Sequence, residues 1–188
     1  RKTTADLSYN PYADNSAVRG VYFADTEAGV PKIEFYTNTL SGDYGPRSAL
    51  LHEMQHAIQN TEDFARGADP RQMRKFTQEG RDAELDWLNF SLKDEMKSLS
   101  DPKASDAIKD FARRRIDEIQ QKLSVAKSRP VYATPEEAYR AASGEIEARN
   151  VQRRMDMTPD QRRASPPWET EDQYQQPIIL GLLGKARP

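Results

Sequence analysis

Hydrophobic positions recur at helical spacing across residues 46–62, where Leu51, Met54 and Ile58 fall at three- and four-residue steps and predict a buried stripe. Gly45-Pro46 reads as a turn with proline at the first helical position. No glycine or proline then interrupts the run until Gly67. Upstream, Gly20-Val21-Tyr22-Phe23-Ala24 is a short aromatic and β-branched run, and Asp25 to Gly29 supplies a turn. Lys32 to Thr37 alternates polar and apolar with the period of a half-buried strand. The two runs predict an antiparallel hairpin, preceded by an irregular lead-in over residues 1–18.

Downstream, Phe64-Ala65-Arg66-Gly67-Ala68-Asp69-Pro70 is a stop signal, and residues 71–79 read as one or two helical turns. A long helix follows from residue 81 to about 99, with Leu85, Leu88, Leu92, Met96 and Leu99 on one seam. Asp101-Pro102 breaks it. A second helix repeats the pattern with Ile108, Ala112, Ile116, Ile119, Leu123 and Ala126, so residues 81–128 predict an αα-hairpin with one dry and one wet face. Thr134-Pro135-Glu136-Glu137 is the strongest helix start in the chain, with Thr134 as cap and Glu137 completing a capping box. That helix is expected over 134–156. Residues 157–188 read as irregular, ending in the short apolar tail Ile178 to Leu183. The expected fold is α+β and mostly helical, one domain over 1–188, with residues 19–66 forming the hairpin and first helix and 81–128 an inserted helical hairpin.

Composition narrows the partners. At 36% hydrophobic and 31% charged over 188 residues, the chain suits long solvated helices better than a large apolar sphere. A formal net charge of −2 gives no global electrostatic case for nucleic acid. Arg113-Arg114-Arg115, balanced by Asp117 and Glu118, reads as a solvated helix face. With no cysteine, disulfides and thiolate metal sites are excluded. No apolar run approaches the roughly 20 residues of a membrane helix, and no signal peptide is visible. A chain beginning at Arg1 reads as a piece of a larger protein.

The first helix carries the chemistry. His52-Glu53-Met54-Gln55-His56 spells His-Glu-x-x-His, and these are the only two histidines in the chain. Four residues apart on a helix, both imidazoles face the same way and can bind one Zn²⁺. Glu53 lies beside them, placed to take a proton from a water that the metal acidifies. A catalytic zinc takes three protein ligands. Without cysteine or a third histidine, the remaining one must be Asp or Glu. The capped helix offers Glu145 and Glu147, which point about 200° apart, so only one can face the metal. Around them Ala141, Ala142, Ser143, Gly144 and Ala148 are small, which permits close backbone approach.

His-Glu-x-x-His on one helix followed by Glu145 on a later one resembles the gluzincin branch of zinc metallopeptidases. There the later Glu is commonly followed, three positions on, by a small residue. Ala148 fits that spacing and favours Glu145 over Glu147. Arg149 departs from the acidic or amide residue often found next, so another residue must supply the partner of a histidine. The blocks 52–59, 64–67 and 144–151 resemble, in order and spacing, a zincin-like domain of the large polyvalent proteins of phages and mobile elements. That resemblance covers roughly residues 19–175.

It implies a small antiparallel sheet on the motif helix with the Glu-bearing helix behind. It also implies Zn²⁺ held by His52, His56 and Glu145, and peptide hydrolysis with Glu53 as general base. The peptide would lie along an edge strand, Lys32, Ile33, Glu34, Phe35 and Tyr36. A second donor to the substrate oxygen would come from Tyr132, Tyr139, Tyr44 or Arg149. The implied partners are a protein or peptide substrate and the other domains of a parent chain, in the cytoplasm of a bacterial host. The alternative is a catalytically inactive scaffold or a helical interaction module.

Overall fold

Three strands, β1 (Asp6–Asn10), β2 (Gly20–Phe23) and β3 (Lys32–Tyr36), form one sheet in the order β1-β3-β2. The computed structural model describes residues 5–10, 20–24, 26–27, 30–36, 45–62 and 65–180, so Tyr44 and the tail beyond residue 180 lie outside the described residues. β2 and β3 pair antiparallel, with Tyr22 opposite Ile33, as the expected hairpin requires. β1 pairs parallel with β3, Leu7 opposite Ile33. The sheet is therefore mixed rather than antiparallel, and part of the lead-in is a strand. β3 is the central strand. Its backbone groups are spent on both neighbours, so Lys32, Ile33, Glu34, Phe35 and Tyr36 do not form the edge for an extended peptide. Ile33, 2% exposed, anchors the sheet to what covers it. Glu34 takes hydrogen bonds from Lys32 and Asn10, and these hold its carboxyl below the usual range.

Helix α1 (Pro46–Glu62) begins at the proline after Gly45, as expected, and packs against β2, β3 and a later helix. The expected buried stripe is wrong. Met54 and Ile58 are exposed and Leu51 half-buried, while Ser48, Ala49, Glu53, Ala57 and Gln59 are buried. The inward face is the small and polar one, because it must bring both histidines and Glu53 against neighbouring backbone. Apolar periodicity reports burial only where burial is apolar.

The helix expected over 134–156 is two helices, α4 (Pro135–Arg140) and α5 (Ser143–Arg153). Thr134 accepts the Glu137 N–H as its cap, while the Glu137 carboxylate accepts the N–H of Ala133. The break at Ala141–Ala142 is made by the C-terminal segment. Ile178 donates to Ala141 O and accepts from Ser143 N, and Leu180 O accepts from Arg66 N. Ile178 is buried, so the start of the tail does close the core. The segment called irregular holds two short helices, α6 (Pro159–Ala164) and α7 (Pro167–Thr170). A Thr158–Gln161 capping box starts α6.

The chain divides into two compact units, Arg1–Ala68 with Arg140–Pro188, and Asp69–Tyr139. The second is wider than the hairpin 81–128. It begins with a 3-10 turn, Pro70–Phe76, capped by Asp69, whose Met73 and Phe76 are buried. Helices α2 (Gln78–Ser100) and α3 (Asp106–Ser128) start at Thr77 and Ser105, each accepting a backbone N–H in its own first turn. Leu88, Ile119, Leu123 and Ala126 form their seam, with Leu85 and Leu92 alongside. Met96 and Ile108, expected on it, are exposed. Met96, eight residues after Leu88, lies about 80° round α2 from it, and Ile108 lies in the first turn of α3, at the tip. Arg129 clasps Glu84 and holds its carboxyl below the usual range. No helix among the described residues is long and apolar enough to cross a membrane.

Candidate metal centre

α1 presents His52 and His56 one turn apart, and α5 crosses it to bring Glu145 between them. Small side chains permit the crossing: Ala49 and Ala57 on α1, and Gly144 and Ala148 on α5, are all buried. A Cβ at Gly144 would stand 2.3 Å from Arg66 O. The small residue thus lets α5 approach the 65–68 loop, which carries part of the site. A Cβ at Gly67 would stand 2.6 Å from the His56 ring. From the next residue, the Ala68 N–H donates to Glu145 Oε1 at 2.8 Å and fixes the carboxylate.

Three side chains converge. His52 Nε2 and His56 Nε2 are 3.1 Å apart, with Glu145 Oε2 3.3 Å from the first and Oε1 3.4 Å from the second. Donors about 2.0–2.2 Å from a tetrahedral metal stand about 3.3–3.5 Å from one another. Each histidine nitrogen is thus near that spacing from one carboxylate oxygen, and one ligand atom from each of the three residues lies within 4.8 Å of the others, the cluster of metal-ligating side chains found among the described residues.

Hydrogen bonds on the far side of each ring decide what those nitrogens are. Gln59 donates its amide N–H to Gly144 O, which can only accept, so its Oε1 faces His56 Nδ1, at 2.9 Å. Gln152 likewise donates to Ser48 O and turns Oε1 to His52 Nδ1, at 3.2 Å. Both Nδ1 atoms must then carry protons, and neutral rings point bare Nε2 lone pairs at each other beside a buried carboxylate. A cation between them relieves that repulsion.

Burial works against a charge on His52, yet the Glu145 carboxylate, with Glu53 behind it, outweighs burial and raises the pKa above the ordinary value. Burial raises the Glu53 carboxyl. Glu145 adds to this, while the two histidines and the Tyr22 backbone N–H pull it back. Both shifts favour the protonated forms. In metal-free protein the charged His52 contributes stability fully below about pH 6.5, and this is lost as pH rises through the raised folded value. Glu53 acts in the same direction, because ionising it costs more in the folded state. The Tm of chelator-treated protein is expected to fall as pH rises above about 6.5, and that of protein saturated with a divalent metal to hold or rise, since protons and such a metal would compete for the same nitrogens. Parallel pH slopes for the two samples would refute this.

The structure brings His52, His56, Glu145 and Glu53 together, and does not bring Glu147. Its carboxylate accepts from Gln59 and Gln55 on α1 rather than meeting the histidine nitrogens. Arg149 is no free oxyanion donor, because it donates to Asp172 at 2.7 Å and to Arg140 O. Tyr132 and Tyr139 belong to the second unit. Sequence reasoning missed Gln59, Gln152 and the Ala68 N–H. Two signals were present: Gln59 is three residues after His56, and Gln152 is two turns after Glu145 on the same helix face. Compared with protein-family models, curated proteins and solved structures, the chain matches none.

Proposed function

We propose that this chain is a zinc-dependent metallopeptidase, with His52, His56 and Glu145 to hold the ion and Glu53 as general base. The observation that carries this reading is the donor triangle with a buried, pKa-raised carboxyl beside it. Two imidazoles and a carboxylate are a donor set that suits Zn²⁺. When bound, the ion supplies Lewis acidity that acidifies a water and polarises a carbonyl. Glu53 would be the group to take a proton from the attacking water and return it to the leaving amine, a role suited to a buried carboxyl beside the two histidines. The Tyr22 N–H orients Glu53, and Gly20 leaves room for it, since a Cβ there would stand 3.1 Å from Glu53 Cγ. An extended peptide would lie along β2, the terminal strand that runs past Glu53, in place of β3. The resemblance to the zincin-like domain of phage and mobile-element proteins supports a peptide or protein substrate and a bacterial cytoplasm.

Elemental analysis should find about one zinc per chain, and the loaded chain should cleave an unfolded protein. Glu53→Gln should keep the zinc and lose about 100- to 10,000-fold in cleavage rate. Gly20→Val should also keep the zinc and slow cleavage, because its side chain displaces Glu53. A chain that binds no zinc, or a Glu53→Gln variant as active as the parent, overturns the reading.

A further inference from the structure

Both histidines of the centre rest on a glutamine, but the two braces end differently. Behind His52, Gln152 spends its amide N–H groups on Ser48 O at 3.2 Å and Ser48 Oγ at 3.0 Å. Behind His56, Gln59 spends one on Gly144 O at 2.9 Å and the other on Glu147 Oε2 at 2.8 Å. The first brace therefore ends on a carbonyl and a hydroxyl, the second on a carboxylate. That same Glu147 oxygen takes a longer bond, 3.4 Å, from Gln55. Among the described residues no lysine or arginine pairs with Glu147, so its charge is directed at amides.

A hydrogen bond to a charged acceptor is roughly twice as strong as one between neutral groups. It also polarises the donor: as the amide N–H is drawn toward the carboxylate, electron density shifts to the amide oxygen, which becomes the better acceptor. In Gln59 that oxygen faces His56 Nδ1 at 2.9 Å, against 3.2 Å for the corresponding contact of Gln152 with His52. The shorter contact is the one with the carboxylate behind it. A ring whose Nδ1 proton is held more strongly is the more basic ligand at Nε2. We infer that Glu147, which is not itself a ligand, is a positioning residue of the centre: acting through Gln59, its charge makes His56 the stronger of the two imidazole donors to the metal. Gly144 O alone suffices to set the Gln59 amide the right way round, so what Glu147 adds is charge rather than orientation. The inference rests on the metal-site reading above.

Zinc titration of Glu147→Gln tests it, with the histidine Nδ1–H proton resonances of the zinc-loaded chain as a second readout. Glutamine keeps an oxygen for Gln59 and removes the charge. The zinc Kd should rise about 3- to 10-fold, short of the 10- to 100-fold typical of a direct partner of a ligand. The His56 Nδ1–H resonance should move upfield as its hydrogen bond weakens, while that of His52 stays in place. A merely structural role gives a different pattern, in which Glu147→Gln matches the parent and Glu147→Ala alone binds more weakly. Parent-like affinity in Glu147→Gln, an unmoved His56 resonance, or equal movement of both resonances overturns the inference and leaves the metal-site reading intact. A parent chain that binds no zinc takes down both, so the two failures are told apart.

Discussion

Glu145→Gln is expected to abolish tight zinc binding while leaving the fold in place. The carboxylate is 1% exposed and supplies the only negative charge in the donor triangle. An amide of the same shape keeps an oxygen for the Ala68 N–H, so the loop and α5 stay in register. What it loses is the anionic oxygen, and two neutral imidazoles alone hold zinc poorly. The affinity should fall by at least about 100-fold, more than the 10- to 100-fold typical for a residue that only orients a ligand. Zinc titration against a chelating dye measures it. A second readout is thermal: zinc at about 100 times its Kd stabilises the parent by about 2.7 kcal/mol and should leave the variant's Tm unmoved. A variant that binds zinc like the parent would remove Glu145 from the site.

Gln59→Leu is expected to cost more in stability than any other single change at the centre. Gln59 is fully buried and serves three groups at once: His56 Nδ1, Gly144 O and the Glu147 carboxylate. Leucine fills similar volume, strands the His56 Nδ1 proton, and takes one donor each from Gly144 O and from Glu147, which keeps Gln55. A buried polar group left unpaired costs about 1–3 kcal/mol, so the loss should reach roughly 2–3 kcal/mol by denaturant unfolding. Gln152→Ala makes the contrast. Gln152 is only half-buried and orients His52 alone, so zinc affinity should fall about 10- to 100-fold with a smaller change in stability. If Gln59→Leu unfolds at the parent's denaturant midpoint, the amide is not the brace described here.

Much of the centre could be read from residue spacing because spacing on a helix is geometry. Two histidines four apart must share a face, and Glu145 and Glu147 must diverge. The capping residue Thr134 acts within one turn, so local pattern places that helix start closely. What failed did so for a common reason. The stripe Leu51, Met54 and Ile58 was assigned inward because apolar periodicity usually marks the buried face. Here the inward face carries Glu53 and Gln59, whose burial is offset by partners far away in sequence. The single helix expected over 134–156 broke because Ile178 pairs with its middle, a contact no local window contains. Arg149, one residue after Ala148, was open as a catalytic donor until Asp172 was seen to hold it.

By itself, then, the order of residues determined two imidazoles on one helix face, a carboxylate nearby, an absence of thiols, and a later helix built of small residues. Those follow from backbone periodicity and residue chemistry, which act over a few positions. Only the tertiary structure decided that Glu145 and not Glu147 closes the triangle. It also decided that amides rather than carboxylates orient both histidines, and that Lys32 to Tyr36 is a central strand. Each of these depends on which distant backbone groups arrive beside a side chain, and chain closure over a hundred residues sets that.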